Sequence, residues 1–234
     1  MNKYSALLVG LGLLPFNVNA SWYGGLNLGV NAVNIEKTLA YPLGDPFVTY
    51  ENFHSGYTDF HGQLTAGYAL LLTNQIGLSL EGNADLFTGN AEHTISNWFF
   101  SQSAKTEEKL TYGFSLFALP EYYYNENTRF FVGPGVSTSK FEISSDNTAG
   151  NAGVSGNLDK WLTGWGLKAG VANQLTPSME ILFTYQFTQY ESVTWTNIEP
   201  VSGSWLCGRY KPQANLFMVG LRMSIPEFQT IQEK

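Results

Sequence analysis

Of the 234 residues only one, Cys207, is a cysteine, so no internal disulfide can staple this chain. Charge is scarce as well: Asp, Glu, Lys and Arg make up 13% of the sequence, where a soluble domain usually carries about 25%. Something other than water therefore covers much of the surface. Basic residues are the rarer sign, 12 against 19 acidic ones, and the net charge of −7 argues against nucleic acid as a partner. Long apolar runs are missing too. Beyond the N-terminus nothing approaches the ~18–20 apolar residues of a membrane helix, and even the charge-poor stretch 62–80 is broken by Gln63, Thr65, Thr73, Asn74 and Gln75. If this chain meets lipid, it does so with strands. Metal-ligand clusters, phosphate-cradling glycine loops and nucleotide fingerprints are also lacking, so no cofactor is expected.

What is present begins with a targeting signal. Lys3, an apolar run over residues 6–16 and the small-residue chemistry of Val18-Asn19-Ala20 read as a secretory signal peptide, residues 1–20, cut after Ala20. The run is too short to cross a bilayer as a helix, and no cysteine follows the cut to carry a lipid anchor.

From there the chain alternates. Ile76, Leu78, Leu80, Gly82, Ala84 and Leu86 share one face, while Gly77, Ser79, Glu81, Asn83, Asp85 and Phe87 share the other, the period-2 signature of a strand. The same pattern sets Trp22, Leu26, Leu28, Val30 and Ala32 against Gly25, Asn27, Gly29 and Asn31. It sets Leu110, Tyr112, Phe114, Leu116, Ala118 and Tyr122 against Thr111, Gly113, Ser115 and Glu121, and Phe217, Val219, Leu221, Met223 and Ile225 against Gly220, Arg222 and Ser224. Eight such strands can be phased. Short polar turns at 73–75, 125–128 and 174–178 alternate with long polar or glycine-rich stretches at 36–55, 89–109, 144–159 and 194–211, a hairpin rhythm with two unequal ends.

In every strand the second face collects glycines, small polar residues and isolated charges. That face is too small for the solvated exterior of a sandwich and suits the crowded lumen of a narrow barrel, with the apolar face in lipid. Closure would pair every backbone N–H and C=O, as hydrocarbon requires. The expected fold is all-β: an eight-stranded antiparallel up-and-down transmembrane β-barrel with short periplasmic turns and four long extracellular loops.

Several residues carry a resemblance. The opening Trp22-Tyr23-Gly24-Gly25-Leu26, the Leu119-Pro120-Glu121-Tyr122 strand end with Asn127-Thr128-Arg129-Phe130 beyond it, and the closing Phe217-Met218-Val219-Gly220-Leu221 resemble the small outer-membrane barrels. Those are the membrane domain of outer-membrane protein A, outer-membrane protein X and the opacity surface proteins. The resemblance implies the bacterial outer membrane as location, with its lipid, lipopolysaccharide and the barrel assembly machinery as partners. One departure is the end of the chain: the last strand closes on Ile225 where that group places a terminal aromatic residue, and a tail, residues 226–234, follows with Phe228 inside it. The expected organisation is signal peptide 1–20, barrel 21–225 and periplasmic tail 226–234.

Glu81, Glu121, Lys168, Glu180 and Arg222 all phase to the lumen, where unpaired charges are costly, so an internal ion-pair network is expected. Such a network is either a polar plug or an ion path; the narrow bore favours the plug. Of the histidines, His54 and His93 read as solvated loop residues and His61 as a residue of the lumen mouth. Ser96 close to His93 does not fix a catalytic triad, which is recognised by geometry. Tyr41, Phe47, Trp98, Phe99, Phe100, Trp195 and Trp205 fall in the long stretches, either as contact residues for an extracellular ligand or as an aromatic continuation of the barrel. The expected function is non-enzymatic: a surface-exposed protein of envelope structure, adhesion or host contact. A porin-like small-solute channel and a lipid-modifying barrel enzyme stand as the alternatives.

Overall fold

The computed structural model describes residues 19–44, 47–97, 102–147, 156–198 and 205–225. The expected signal peptide, apart from Asn19 and Ala20, and the tail 226–234 lie outside these residues, as do Trp98, Phe99 and Phe100. Among the described residues ten strands form: β1 (Asn19–Gly44), β2 (Phe47–Leu71), β3 (Ile76–Phe87), β4 (Ala91–Asn97), β5 (Gln102–Tyr123), β6 (Thr128–Asn147), β7 (Gly156–Thr176), β8 (Met179–Tyr190), β9 (Val193–Ile198) and β10 (Trp205–Ile225).

Eight of them close a ring in the order β1-β2-β3-β5-β6-β7-β8-β10, sealed by antiparallel pairing of β10 with β1 from Trp22↔Ile225 to Ala40↔Cys207. The turns at one end are tight. Thr73 Oγ1 accepts from the backbone N–H groups of Gln75 and Ile76, and Asn125 Oδ1 accepts from those of Asn127 and Thr128. These are the side-chain-to-backbone turns that Thr and Asn favour.

Around that end runs an apolar outer belt, including Leu26, Leu28, Leu64, Leu80, Phe114, Val132, Leu167, Phe183, Val219 and Leu221. Aromatics edge it, with Trp22 against Tyr68 at 4.9 Å and Tyr112 against Trp161 at 5.3 Å between ring centroids.

The strands outrun the belt. A strand of about 9–11 residues crosses hydrocarbon, whereas β1 has 26 and β2 has 25. Much of what the sequence presents as long loops, at 36–55, 89–109, 144–159 and 194–211, is therefore strand that continues past the belt. Polarity inverts along the way. On β1 the inward face changes from Asn27 and Asn31 to Val33, Ile35 and Leu39, while the outward face changes from Leu26, Leu28 and Val30 to Asn34 and Glu36.

A bulge does the same on β5. Leu110 pairs with Phe141 and Gly113 with Ser139, so Thr111 and Tyr112 face the single residue Lys140. The extra residue flips the phase: Phe114 and Leu116 point out, yet Leu110 points in and is buried. Unbroken alternation places Leu110 on the outer face; the bulge is the reason it is not there.

Past the belt the ring divides. The β2–β3 pairing ends at His61↔Phe87 and the β7–β8 pairing at Gly164↔Tyr190. Beyond those points, among the described residues, one sheet runs β2-β1-β10-β9 and the other β4-β5-β6-β7. The two sheets face each other across an apolar core that includes Ile35, Leu39, Tyr210 and Leu216 from the first and Leu110, Phe141, Ile143 and Leu162 from the second. The molecule is a barrel at one end and a two-sheet sandwich at the other.

Candidate functional site

The interior is crossed by side chains at three levels. At the short-turn end, Arg129 on β6 donates from Nη1 to Glu121 Oε1 at 2.7 Å, and from Nη2 and Nε to the two oxygens of Glu180 at 2.7 and 3.2 Å. Glu121 also accepts from Ser79 Oγ at 2.5 Å and from Tyr123 Oη at 3.0 Å. Arg222 lies 3.1 Å from Glu180 and 3.7 Å from Glu121, off the hydrogen-bond line to Glu180, with its guanidinium 3.7 Å from the centroid of the Tyr23 ring. In the ring β10 stands four strands from β5, so Arg222 and Glu121 reach across the full bore. Two guanidinium groups against two carboxylates leave this level neutral.

At mid-height, Lys168 on β7 donates to Glu81 Oε1 at 2.6 Å and to Gln63 Oε1 at 3.0 Å, the latter on the opposite wall. Gln63 is fully used: it also accepts from Asn27 and donates to Asp85 and to Gln186. Tyr23 Oη donates to the second oxygen of Glu81 at 3.1 Å. His61 is buried 3.2 Å from Asp85. Glycines make room for the large rings of this layer. A Cβ on Gly67 would run into the Tyr23 ring, and one on Gly135 into that of Phe117. Phe117 forms a small apolar patch with Leu119, Phe131, Ala172 and Leu182, so the lumen is less uniformly polar than alternation suggests.

The third level lies above the belt, between the two sheets. Lys37 on β1 pairs with Glu108 on β5, both wholly buried. Ser55 Oγ on β2 donates to Glu108 Oε2 at 3.1 Å, and His93 Nδ1 on β4 sits 3.1 Å from Lys37 Nζ and 3.7 Å from Glu108 Oε1. Aromatic faces wall the group: Lys37 Nζ is 5.1 Å from the Phe53 ring centroid and 5.9 Å from that of Tyr210. Burial drives Lys37 below the usual amine range against the pull of Glu108, and it drives Glu108 above the carboxylate range against the pull of Lys37. His93 is pushed down to about 4, by burial first and by Lys37 second, and is neutral at pH 7.

The five charges expected in the lumen thus fall into two groups, Glu81 with Lys168, and Glu121, Glu180 and Arg222 around Arg129. Arg129 is a member that the expected set lacks. It precedes the outward Phe130, so parity alone puts it inside. The Lys37–Glu108 pair was missed because its strands read as loops.

His93 is not a solvated loop residue: it is half-buried on β4 in the inter-sheet core. Of the two readings of Trp195, open ligand contact does not hold and continuation of the barrel does: at 7% exposure it packs into that core, because β9 continues the wall and turns its ring inward. His54 is exposed, as expected. Tyr41, Phe47 and Trp205 lie on β1, β2 and β10, with side chains outside the described residues. No group of metal-binding side chains occurs among the described residues.

Known proteins place this architecture. The chain matches the outer membrane protein beta-barrel domain family over residues 5–222. Among solved structures it is similar to the outer membrane protein OprG from Pseudomonas aeruginosa, at 13% identity over 86% of this chain and 95% of that one, with a TM-score of 0.54. It also aligns with Neisserial surface protein A at 14% identity over 88% and 98% of the two chains, TM-score 0.41. With Ail, the attachment invasion locus protein of Yersinia pestis, the figures are 13%, 83%, 99% and 0.33. At such identities the likeness to OprG speaks to the fold alone. No curated protein matches at the level of sequence. The family match spans nearly the whole chain, and the protein belongs to the outer membrane protein beta-barrel family of the bacterial outer membrane.

Proposed function

We propose that this is a non-enzymatic surface protein with a closed lumen, whose work is done outside the cell by the two-sheet extension in an adhesion or host-contact role. The observation that carries the reading is the triple crossing of the bore, by Arg222–Glu121, by Lys168–Gln63 and by Lys37–Glu108. A path for solutes would have to part buried charges at every level. The extension supports the other half of the reading: an ordered apolar core above the belt holds the outermost hairpins on a rigid base, which lowers the entropy lost on binding a partner. Outer-membrane lipid and lipopolysaccharide would surround the belt, and the assembly machinery would insert it.

Planar-bilayer recordings test the closed lumen. The expected trace is flat, and a steady unitary conductance from the unmodified chain would favour the porin-like alternative instead. Cell-binding assays with the tips of the long hairpins replaced one at a time by short turns should localise adhesion to the extension.

The orientation has its own test. Cys207 is half-buried on β10 near the long-hairpin end, with Thr196 Oγ1 at 3.4 Å from its sulfur. A membrane-impermeant maleimide on intact cells should label Cys207, after mild denaturation where the thiol is shielded, while a cysteine placed at Asn127 stays unlabelled. The reverse pattern would turn the barrel over.

A further inference from the structure

The Lys37–Glu108 pair differs from the ion pairs lower in the lumen. The acids of the lowest level face arginines, whose delocalised guanidinium is always protonated and is not a nucleophile. Lys168 spreads its protons over Glu81, Gln63 and Asn83. Lys37 instead has an amine between two aromatic faces, a carboxyl group beside it and an imidazole nitrogen 3.1 Å from Nζ.

From this geometry we propose that Lys37 and Glu108 condense, without any other reactant, into a side-chain amide that covalently joins β1 to β5 and so locks the two sheets of the extension together.

Each part of the reaction has a group in place. The lone pair of a neutral Lys37 Nζ attacks Cδ of a protonated Glu108. Ser55 Oγ, already donating to Oε2, steadies the negative charge that develops there. His93 Nδ1 lies 3.1 Å from Nζ and 3.7 Å from Oε1, so it can take a proton from the amine and, on closing the remaining gap, return it to the departing oxygen. Among the described residues Oε1 has no hydrogen-bond partner to hold it back. One C–N bond forms, one C–O bond breaks, and the hydroxyl oxygen leaves as water with the carboxyl proton and one amine proton. The second amine proton stays on the amide nitrogen. No electrons are transferred and no oxidant or metal is required.

Burial favours the reacting forms. It shifts Lys37 toward the free amine and Glu108 toward the protonated acid, and it keeps His93 unprotonated. The product suits the site better than the reactants do, because an amide replaces two charges held between apolar sheets. Other titratable groups on the neighbouring strand segments include Glu51 and His54 on β2, Glu107 on β5, Glu92 on β4, and Cys207 and Tyr210 on β10, with Glu51, His54 and Glu92 exposed and Glu107 half-buried.

Mass spectrometry of the full chain purified from outer membranes decides the matter. The intact protein should be lighter by one water than its residues require, and digestion should release a branched peptide containing Lys37 and Glu108. Lys37→Met and Glu108→Leu should each restore full mass. His93→Phe, which keeps a ring against Phe53, should slow bond formation by about 10²-fold or more, the scale of general acid–base catalysis. Folding of each variant is checked by its mobility on unheated gels. An unmodified chain that keeps full mass with no branched peptide after prolonged incubation at neutral pH overturns the proposal. So does dehydration that joins Lys168 to Glu81 equally often, since that pair has no imidazole beside its amine.

Discussion

Replacing Lys168 with methionine is expected to destabilise folding into bilayers by about 3–5 kcal/mol, the usual cost of leaving a buried charge without its partner. The side chain is 2% exposed and holds Glu81, 4% exposed, from across the lumen. Its removal leaves Glu81 with only the Tyr23 hydroxyl and leaves Gln63 Oε1 with only Asn27. Glu81→Gln alone should also destabilise, because the ammonium of Lys168 then faces neutral amides. Combining the two changes should lose less than the sum of the single losses, since no uncompensated charge remains. Urea titration in phospholipid vesicles, followed by tryptophan emission, measures all three variants. Strictly additive losses would mean that the pair is not coupled and that the mid-lumen plug is held by packing alone.

The same reasoning applies with more partners at the short-turn end. Arg129 makes a two-pronged contact with Glu180 and a third bond to Glu121, so it is the hub there, and Arg222 is the auxiliary. Arg129→Met should therefore destabilise more than Arg222→Met in the same titration. The opposite ranking would move the hub to β10.

What the chain discloses before folding divides at the edge of the belt. Within it, side chains have two possible environments, lipid and a narrow lumen, and a period-2 pattern separates them. Leu80 against Glu81, Phe130 against Arg129 and Leu221 against Arg222 could all be assigned by parity. Above the belt that rule loses its meaning. Outside becomes water and inside becomes an apolar core, so Asn34 and Glu36 alternate with Val33, Ile35 and Lys37 in a pattern of opposite sense. Read with the membrane rule, such segments look like irregular polar loops. The bulge at Thr111 and Tyr112 adds a second break, because a single extra residue reverses the phase of everything beyond it. The bulge accounts for Leu110, and the loop-like character of 89–109 accounts for His93 and Glu108. Trp195 is ambiguous for a different reason: an aromatic residue in a polar stretch suits an exposed contact or a continued wall, and a strand buries it once a facing sheet supplies the core.

The inversion itself can be measured by moving one charge along the outer surface. Leu80 and Leu221 are 54% and 48% exposed on the belt, Leu80 near the middle of β3 and Leu221 on the belt portion of β10. Arginine at either site would place a guanidinium in hydrocarbon, at about 2–4 kcal/mol near the midplane of a bilayer. Asn34 shares the outer face of β1 with Leu26, the direct partner of Leu221, but stands above the belt beside Glu36. Asn34→Arg should change stability by no more than about 0.5 kcal/mol, as surface substitutions in water do. Leu80→Arg and Leu221→Arg should fall well below the parent in vesicle refolding while Asn34→Arg matches it. In detergent micelles, which deform around a charge more readily than a bilayer, the two leucine variants should recover part of the difference. Equal stability of all three in vesicles would mean that the belt does not face lipid and that the barrel has been read inside out. A loss at Asn34 as large as at Leu221 would instead extend the hydrocarbon layer upward and bring the two-sheet extension into the membrane.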